Sequence, residues 1–325
     1  MNTGIRLLLC TVTFCVCGCP MGTPGDHHRP HEHQDTTISI SPTSDAILFN
    51  ATGSGGSDLF LLNLKNLTVE RITDSRNYEV APSFSPDGMK IVYAAGVPGE
   101  RADHIFTIGH NGQSPKQLTA ADANDTSPRF SPDGSMIVFA RDKTYIWGGL
   151  AANWENGGVV CVVASDGTGE RQLTPDEDFA FAPFFTTDGQ SVIYFTTNGC
   201  FSTPIDGSGN PTKLGPTATM PNLSADGMRI VFSDGNFSSD HELFIANLDG
   251  SHRTQITTSK NGCFHGVWTG DAKNVYFLME EWPQGSSGHP KSSIWKVKTD
   301  GTGQKQISDL SLFDNPMNWK PKKSP

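Results

Sequence analysis

No stretch of this sequence carries its apolar residues at a helical period, and helix-forming runs are nearly absent. That excludes helical bundles and helical solenoids, whose apolar stripes return about every 3.6 residues. Catalytic signatures are missing too. There is no G-x-S-x-G elbow, no Walker A loop and no H-E-x-x-H, since His241-Glu242 lacks the second histidine. A serine nucleophile needs a base and an orienting group, and no such trio can be nominated. Basic residues are outnumbered, 24 against 34 acidic ones, and the net charge of −10 argues against a nucleic-acid backbone as partner. Cysteine is scarce. Beyond residue 19 only Cys161, Cys200 and Cys263 remain, which allows one bridge at most and no disulfide framework. Cys161 sits in an apolar strand segment, where a buried thiol acts as a small apolar side chain.

What is present begins with an export signal. Arg6 precedes a short apolar stretch, Leu7–Val16, too short to span a bilayer. Val16-Cys17-Gly18-Cys19 resembles a bacterial lipobox, which makes residues 1–18 a lipoprotein-type signal peptide and Cys19 the lipidated residue. Cys17 is atypical there, so ordinary signal-peptidase cleavage is the alternative. Residues 19–35 read as a flexible linker rich in Pro, Gly and His. Its His27, His28, His31 and His33 are read as a solvated spacer rather than a metal tract.

From residue 36 to 325 one unit recurs. Its best copy is Ala81–Ala95, APSFSPDGMKIVYAA, with drifted copies near Ile38, Arg129, Phe184, Asn222 and Val267. In every full copy an apolar anchor is followed seven positions later by an apolar run: Ile40/Ile47, Phe84/Ile91, Phe130/Ile137, Phe185/Val192, Leu223/Ile230 and Trp268/Val275. SPDG is turn chemistry between two strands. A third strand follows, such as Ile105–Ile108. A second tight turn comes next, at Asn111-Gly112, Asp166-Gly167, Asp206-Gly207, Asp249-Gly250 or Asp300-Gly301. A fourth strand of the type Arg171-Gln172-Leu173-Thr174 closes each copy. Four antiparallel strands per repeat of roughly 38 to 55 residues predict an all-β fold, a six-bladed β-propeller of four-stranded blades. Blade four, about 184–217, is the most eroded, and its third strand Cys200-Phe201-Ser202-Thr203 reads as weak. A seventh motif start, Trp319-Lys320-Pro321, is expected to pack beside blade one and close the ring, hiding sheet edges.

Strand alternation puts the SPDG and Asp-Gly turns on one face of the ring. The opposite face receives the blade-to-blade loops and both long inserts, 141–158 and 279–292. Irregular loops on a rigid scaffold are where function concentrates, so that second face is the expected binding face. Its loops are acidic. Glu79, Asp125 and Asp314 occupy equivalent positions near the channel opening, where they could attract a basic partner or hold a divalent cation. Trp147, Trp154 and Trp282 lie on the inserts of blades three and six and suit peptide or sugar binding. His265 starts the inner strand of blade six and could face the channel.

The pattern P-x-F-S-P-D-G-x-x-I-V-[YF] with a following D-G-x-x-x-x-Q-L-T resembles the propeller repeat of the TolB family. Pro82–Tyr93, Pro128–Phe139 and Pro221–Phe232 carry it best. The resemblance implies a propeller in the bacterial envelope, in the periplasm or at the outer membrane through a lipid anchor, or else secreted. In that family TolB binds the peptidoglycan-associated lipoprotein through its propeller. The α/β domain that precedes the propeller in TolB has no counterpart in residues 19–35. Related repeats occur in prolyl oligopeptidase-type peptidases and in oligogalacturonate lyases, whose histidine and metal set cannot be aligned here. Two functions stand at this point. One is a non-enzymatic scaffold for an envelope protein or peptide, with no cofactor. The other is a carbohydrate-active or metal-dependent propeller enzyme using the channel mouth.

Overall fold

The computed structural model describes residues 36–52, 56–100, 102–143, 158–176, 179–234, 241–281 and 291–321. The strands form six four-stranded antiparallel sheets, each built from four consecutive strands. In blade two these are Glu79–Phe84, Lys90–Gly96, Asp103–Gly109 and Lys116–Gln117. All six anchor pairs read from the repeat are cross-strand partners: Ile40 with Ile47, Phe84 with Ile91, Phe130 with Ile137, Phe185 with Val192, Leu223 with Ile230, and Trp268 with Val275. The third strand of blade four, Gly199–Pro204, is fully formed and pairs on both sides, contrary to its weak sequence signal. Burial of Cys200 between blades four and five supplies what local propensity lacks.

Conserved spacing within the repeat has a hydrogen-bonding reason. In the SPDG turn of blade two, the Ser85 hydroxyl accepts the Lys90 N–H (2.9 Å) and donates to Asp87 (2.6 Å). Ser131 with Met136 and Asp133, and Ser224 with Arg229 and Asp226, repeat the arrangement. Gly88 supplies the left-handed residue of that turn at φ 72°, a conformation that costs an L-residue about 1–2 kcal/mol. The threonine that ends each copy has an equally fixed task. Thr73, Thr119, Thr174 and Thr257 each accept an N–H from the first half of strand three (Leu59, Ile105, Val160 and Leu243) through the side-chain oxygen, at 2.8–2.9 Å, and Ser308 accepts that of Ile294 in blade six.

The core is not central. It is divided into six apolar clusters, and each fills the seam between two neighbouring blades. Because a strand's side chains alternate, strand two of blade two sends Ile91, Tyr93 and Ala95 against blade one and Val92 and Ala94 against blade three. Both faces are buried, which is why these strands read as continuous apolar runs rather than alternating ones. Cys161, Cys200 and Cys263 are buried free thiols in three different seams.

Closure differs in kind from the expectation about edges. Blade one uses only its own four strands, so no strand is shared across the seam with blade six. A short helix, Ser311–Asp314, and the turn Pro316–Asn318 instead wedge Leu312, Phe313 and Trp319 into the seam. They meet Phe49, Phe60 and Leu62 of blade one and Tyr276, Leu278 and Ile294 of blade six. Phe313 makes an edge contact with Phe49 at 5.3 Å, and the Trp319 indole N–H donates to Asp309 at 3.1 Å. Opening this ring would therefore expose apolar blade faces rather than hydrogen-bonding strand edges.

Candidate functional site

The channel is lined by the innermost strands: Ile38–Ile40, Glu79–Phe84, Asn124–Phe130, Phe181–Phe185, Thr219–Leu223 and Gly262–Trp268. Five of these carry a bulge three residues before the anchor. The residues there are Ala81, Ser127, Ala182, Met220 and His265, all left-handed with φ between 44° and 54°. A bulge bends its strand and re-aims the next side chains.

Beyond the bulges, toward the SPDG face, the channel widens into a cavity of about 410 Å³. All six blades contribute to it. The position just before each anchor supplies Ser39, Ser83, Arg129, Phe184, Asn222 and Val267, so blades one to three give a polar arc, and opposite it Asn222 stands between the apolar Phe184 and Val267. Arg129 is the sole charged residue among the described residues lining it. Its guanidinium lies over the Phe184 ring, 4.7 Å from the centroid. It has no ion-pair or hydrogen-bond partner among the described residues, and desolvation pulls its pKa down to about 10. At neutral pH it is still a full cation. The rim is acidic, but its aspartates are occupied by their own turns: Asp87, Asp133 and Asp226 accept the hydroxyls of Ser85, Ser131 and Ser224. Those bonds hold the carboxyls below their usual range, Asp133 at about 2.

The residues singled out from sequence lie elsewhere. Glu79 and Asp125 do occupy equivalent inner-strand positions, but both are buried instead of facing solvent at the opposite mouth. Glu79 accepts the hydroxyls of Thr73 and of Ser75 (2.6 Å). Desolvation drives its pKa up to about 7 against those two bonds. Asp125 is gripped by Arg141 in a bidentate pair at 2.7 and 2.9 Å, and Arg141 also reaches Glu170. Burial pushes the Asp125 carboxyl up, and Arg141 opposes the shift. Asp314 is exposed and paired with Lys291 at 2.7 Å. His265 is half-buried on its bulge, and desolvation lowers its pKa to about 4, so it is neutral at pH 7. Trp147, Trp154 and Trp282, the His tract and Cys19 lie outside the described residues.

Part of the acidic excess of the blade-to-blade loops is thus compensated in space. Asp74 pairs with Arg71 at 2.7 Å and Asp176 with Lys143 at 2.7 Å. These cations come from other segments of the same blade, which a count within the loops misses. Among the described residues no three His, Cys, Asp or Glu side chains gather as a metal-ligand set. Sequence reading overlooked Arg129 because its position drifts from blade to blade. The available signal was a basic residue where the other copies place Ser, Phe, Asn or Val.

Comparison with known proteins matches this geometry. The family model described as the TolB beta propeller domain matches residues 36–145. The matched segment covers blades one and two and the start of blade three of the six-bladed ring. Residues 36–145 are a TolB-like propeller segment. The Tol-Pal system protein TolB of Francisella tularensis subsp. mediasiatica (strain FSC147) is 26% identical over 245 residues, 72% of this chain and 53% of that protein. The chain thus spans about half the length of the curated relatives it matches. Among solved structures, TolB from Acinetobacter baumannii aligns with a TM-score of 0.57 at 20% identity, over 70% of this chain and 55% of that one. An oligogalacturonate lyase from Vibrio parahaemolyticus aligns with a TM-score of 0.57 at 14% identity, over 85% and 79%. At these identities the structural likeness concerns the fold.

Proposed function

We propose that this TolB-like propeller is a non-enzymatic protein-binding scaffold, exported to the bacterial cell envelope and tethered there through Cys19. It takes its partner at the channel mouth that carries Arg129. The observation that carries this reading is the convergence of all six blades on one recessed cavity with an apolar wall and a cation that has no partner among the described residues. A cavity of this size, mostly apolar with a few polar groups, has the character of a ligand site. The envelope setting draws on the lipobox-like Val16–Cys19 and on relatives named as Tol-Pal system proteins.

Photo-cross-linking in cells tests it. A cross-linker placed at Met89 or Met228, both strongly exposed on turns beside the mouth, is expected to capture an envelope protein. One placed at Asp74, exposed on the opposite face, is not. Capture from Asp74 alone would move the site to the other face. Turnover of polygalacturonate by the purified protein, seen as unsaturated uronides, would replace the scaffold with a lyase.

A further inference from the structure

The cavity at the SPDG mouth is specific about charge. Arg129 sits on the innermost strand of blade three, and its guanidinium is stacked on Phe184 rather than paired. An arginine withdrawn from bulk water without a counter-ion loses solvation that nothing in the protein returns. Three further polar side chains share its register and lining. The hydroxyls of Ser39 and Ser83 and the carboxamide of Asn222 have no hydrogen-bond partner among the described residues. The backbone at Asn222 is held separately, because its carbonyl accepts the Trp268 indole N–H at 3.0 Å. These four side chains offer donors that converge on one space. The serines with donors already committed, Ser85, Ser131 and Ser224, lie one layer further out in the turns. Phe184, Leu223 and Val267 complete the wall opposite the polar arc.

We propose that this mouth is a carboxylate seat, in which Arg129 receives the free carboxylate of a peptide C-terminus while Ser39, Ser83 and Asn222 complete its hydrogen bonds. The planar guanidinium fork matches a carboxylate in two parallel bonds, and the aromatic ring beneath it fixes the plane. The apolar wall takes the terminal side chain. The rim aspartates favour a basic residue upstream, so the carrier is a peptide ending in a basic-then-apolar sequence rather than an acidic tail. An isolated small carboxylic acid would share the seat but leave the wall and rim unused. The inference rests on the reading of this mouth as the binding face.

Isothermal titration of the purified protein with Lys-Ser-Ala-Leu as the free acid and as the C-terminal amide tests it, with acetate as a third probe. The acid is expected to bind at least ~10-fold more tightly than the amide, in line with charge-assisted hydrogen bonds. Arg129→Gln is expected to abolish that preference, weakening the acid at least ~10-fold and bringing it level with the amide. Arg129→Lys keeps the charge without the fork and should retain only part of the preference. Thermal unfolding of both variants checks that the blade is intact. If Arg129→Gln fails to fold, loss of the wild-type acid preference at high salt supplies the same information. Acetate displacing the peptide at comparable concentration would assign the seat to small acids and overturn the C-terminal commitment. Equal affinity for acid and amide, or an Arg129→Gln variant that keeps the preference, would remove the carboxylate seat altogether. Cross-linking from Met89 and Met228 without any acid preference would leave the docking face standing. Acid-selective peptide binding with no cross-link would do the reverse.

Discussion

Truncating Phe313 to alanine should loosen the ring at one seam and leave the other five unchanged. Phe313 is buried between blades six and one, in edge contact with Phe49, and the short helix that carries it is otherwise held by buried Leu312 and the exposed Asp314–Lys291 pair. Removing a buried phenylalanine costs about 3–5 kcal/mol, from lost transfer energy plus the space left behind. A wedge of a few residues can relax toward its neighbours, so the lower end, about 3 kcal/mol, is expected. For a domain of this size each kcal/mol moves the melting temperature by about 2 °C, so the shift should be about 6 °C. Urea unfolding followed by tryptophan fluorescence and circular dichroism gives the stability, with Met228→Ala as the exposed control. Hydrogen exchange locates the effect. Protection should fall in strand two of blades one and six, Ala46–Thr52 and Asn274–Glu281, before it falls in blades three and four. A Phe313→Ala protein as stable as the Met228→Ala control, or one whose exchange rises evenly around the ring, would refute closure by the wedge.

Glu79 adds a pH dependence with a definite sign. Its folded pKa of about 7 lies above the ordinary 4.5, so the native state holds a proton that the unfolded chain releases. Its contribution is therefore full below about pH 4.5 and lost as pH rises through about 7, up to about 3 kcal/mol at 1.36 kcal/mol per pKa unit. Glu79→Gln should flatten the stability profile over that window; an unchanged slope in urea midpoints would show the carboxyl to be ionised throughout. Arg141→Met leaves Asp125 buried and uncompensated and should cost about 3–5 kcal/mol, whereas Arg141→Met with Asp125→Leu should recover most of it. A double variant as unstable as the single one would count against that view of the pair. Cys19→Ala should abolish fatty-acid labelling of the protein in cells, and labelling that persists would refute lipidation at this cysteine.

The number of blades, the strand register and the turn chemistry were legible in the chain because each is a local rule repeated six times. A fixed interval of seven residues joins every anchor to its cross-strand partner, and Ser, Asp and Thr recur where a hydroxyl or carboxylate must meet a nearby N–H. Repetition of that kind survives drift at single positions. The seam wedge was half legible: Trp319 declared a seventh motif start, but its packing with Leu312 and Phe313 between two blades depends on residues far apart in sequence.

The site was decided by the tertiary structure. Asp125, a carboxylate that a linear reading leaves unpaired, meets Arg141 across antiparallel strands and is compensated there. Glu79 disappears into a blade because the hydroxyls of Thr73 and Ser75 are waiting there. Arg129 moves the other way, from an unremarked residue in a drifted repeat to a cation of the channel mouth with no counter-ion among the described residues. The physical reason is the same in each case. A repeat specifies how neighbouring residues pair, while charge compensation depends on which groups the closed ring brings within reach, and that distance exists only once the ring is formed.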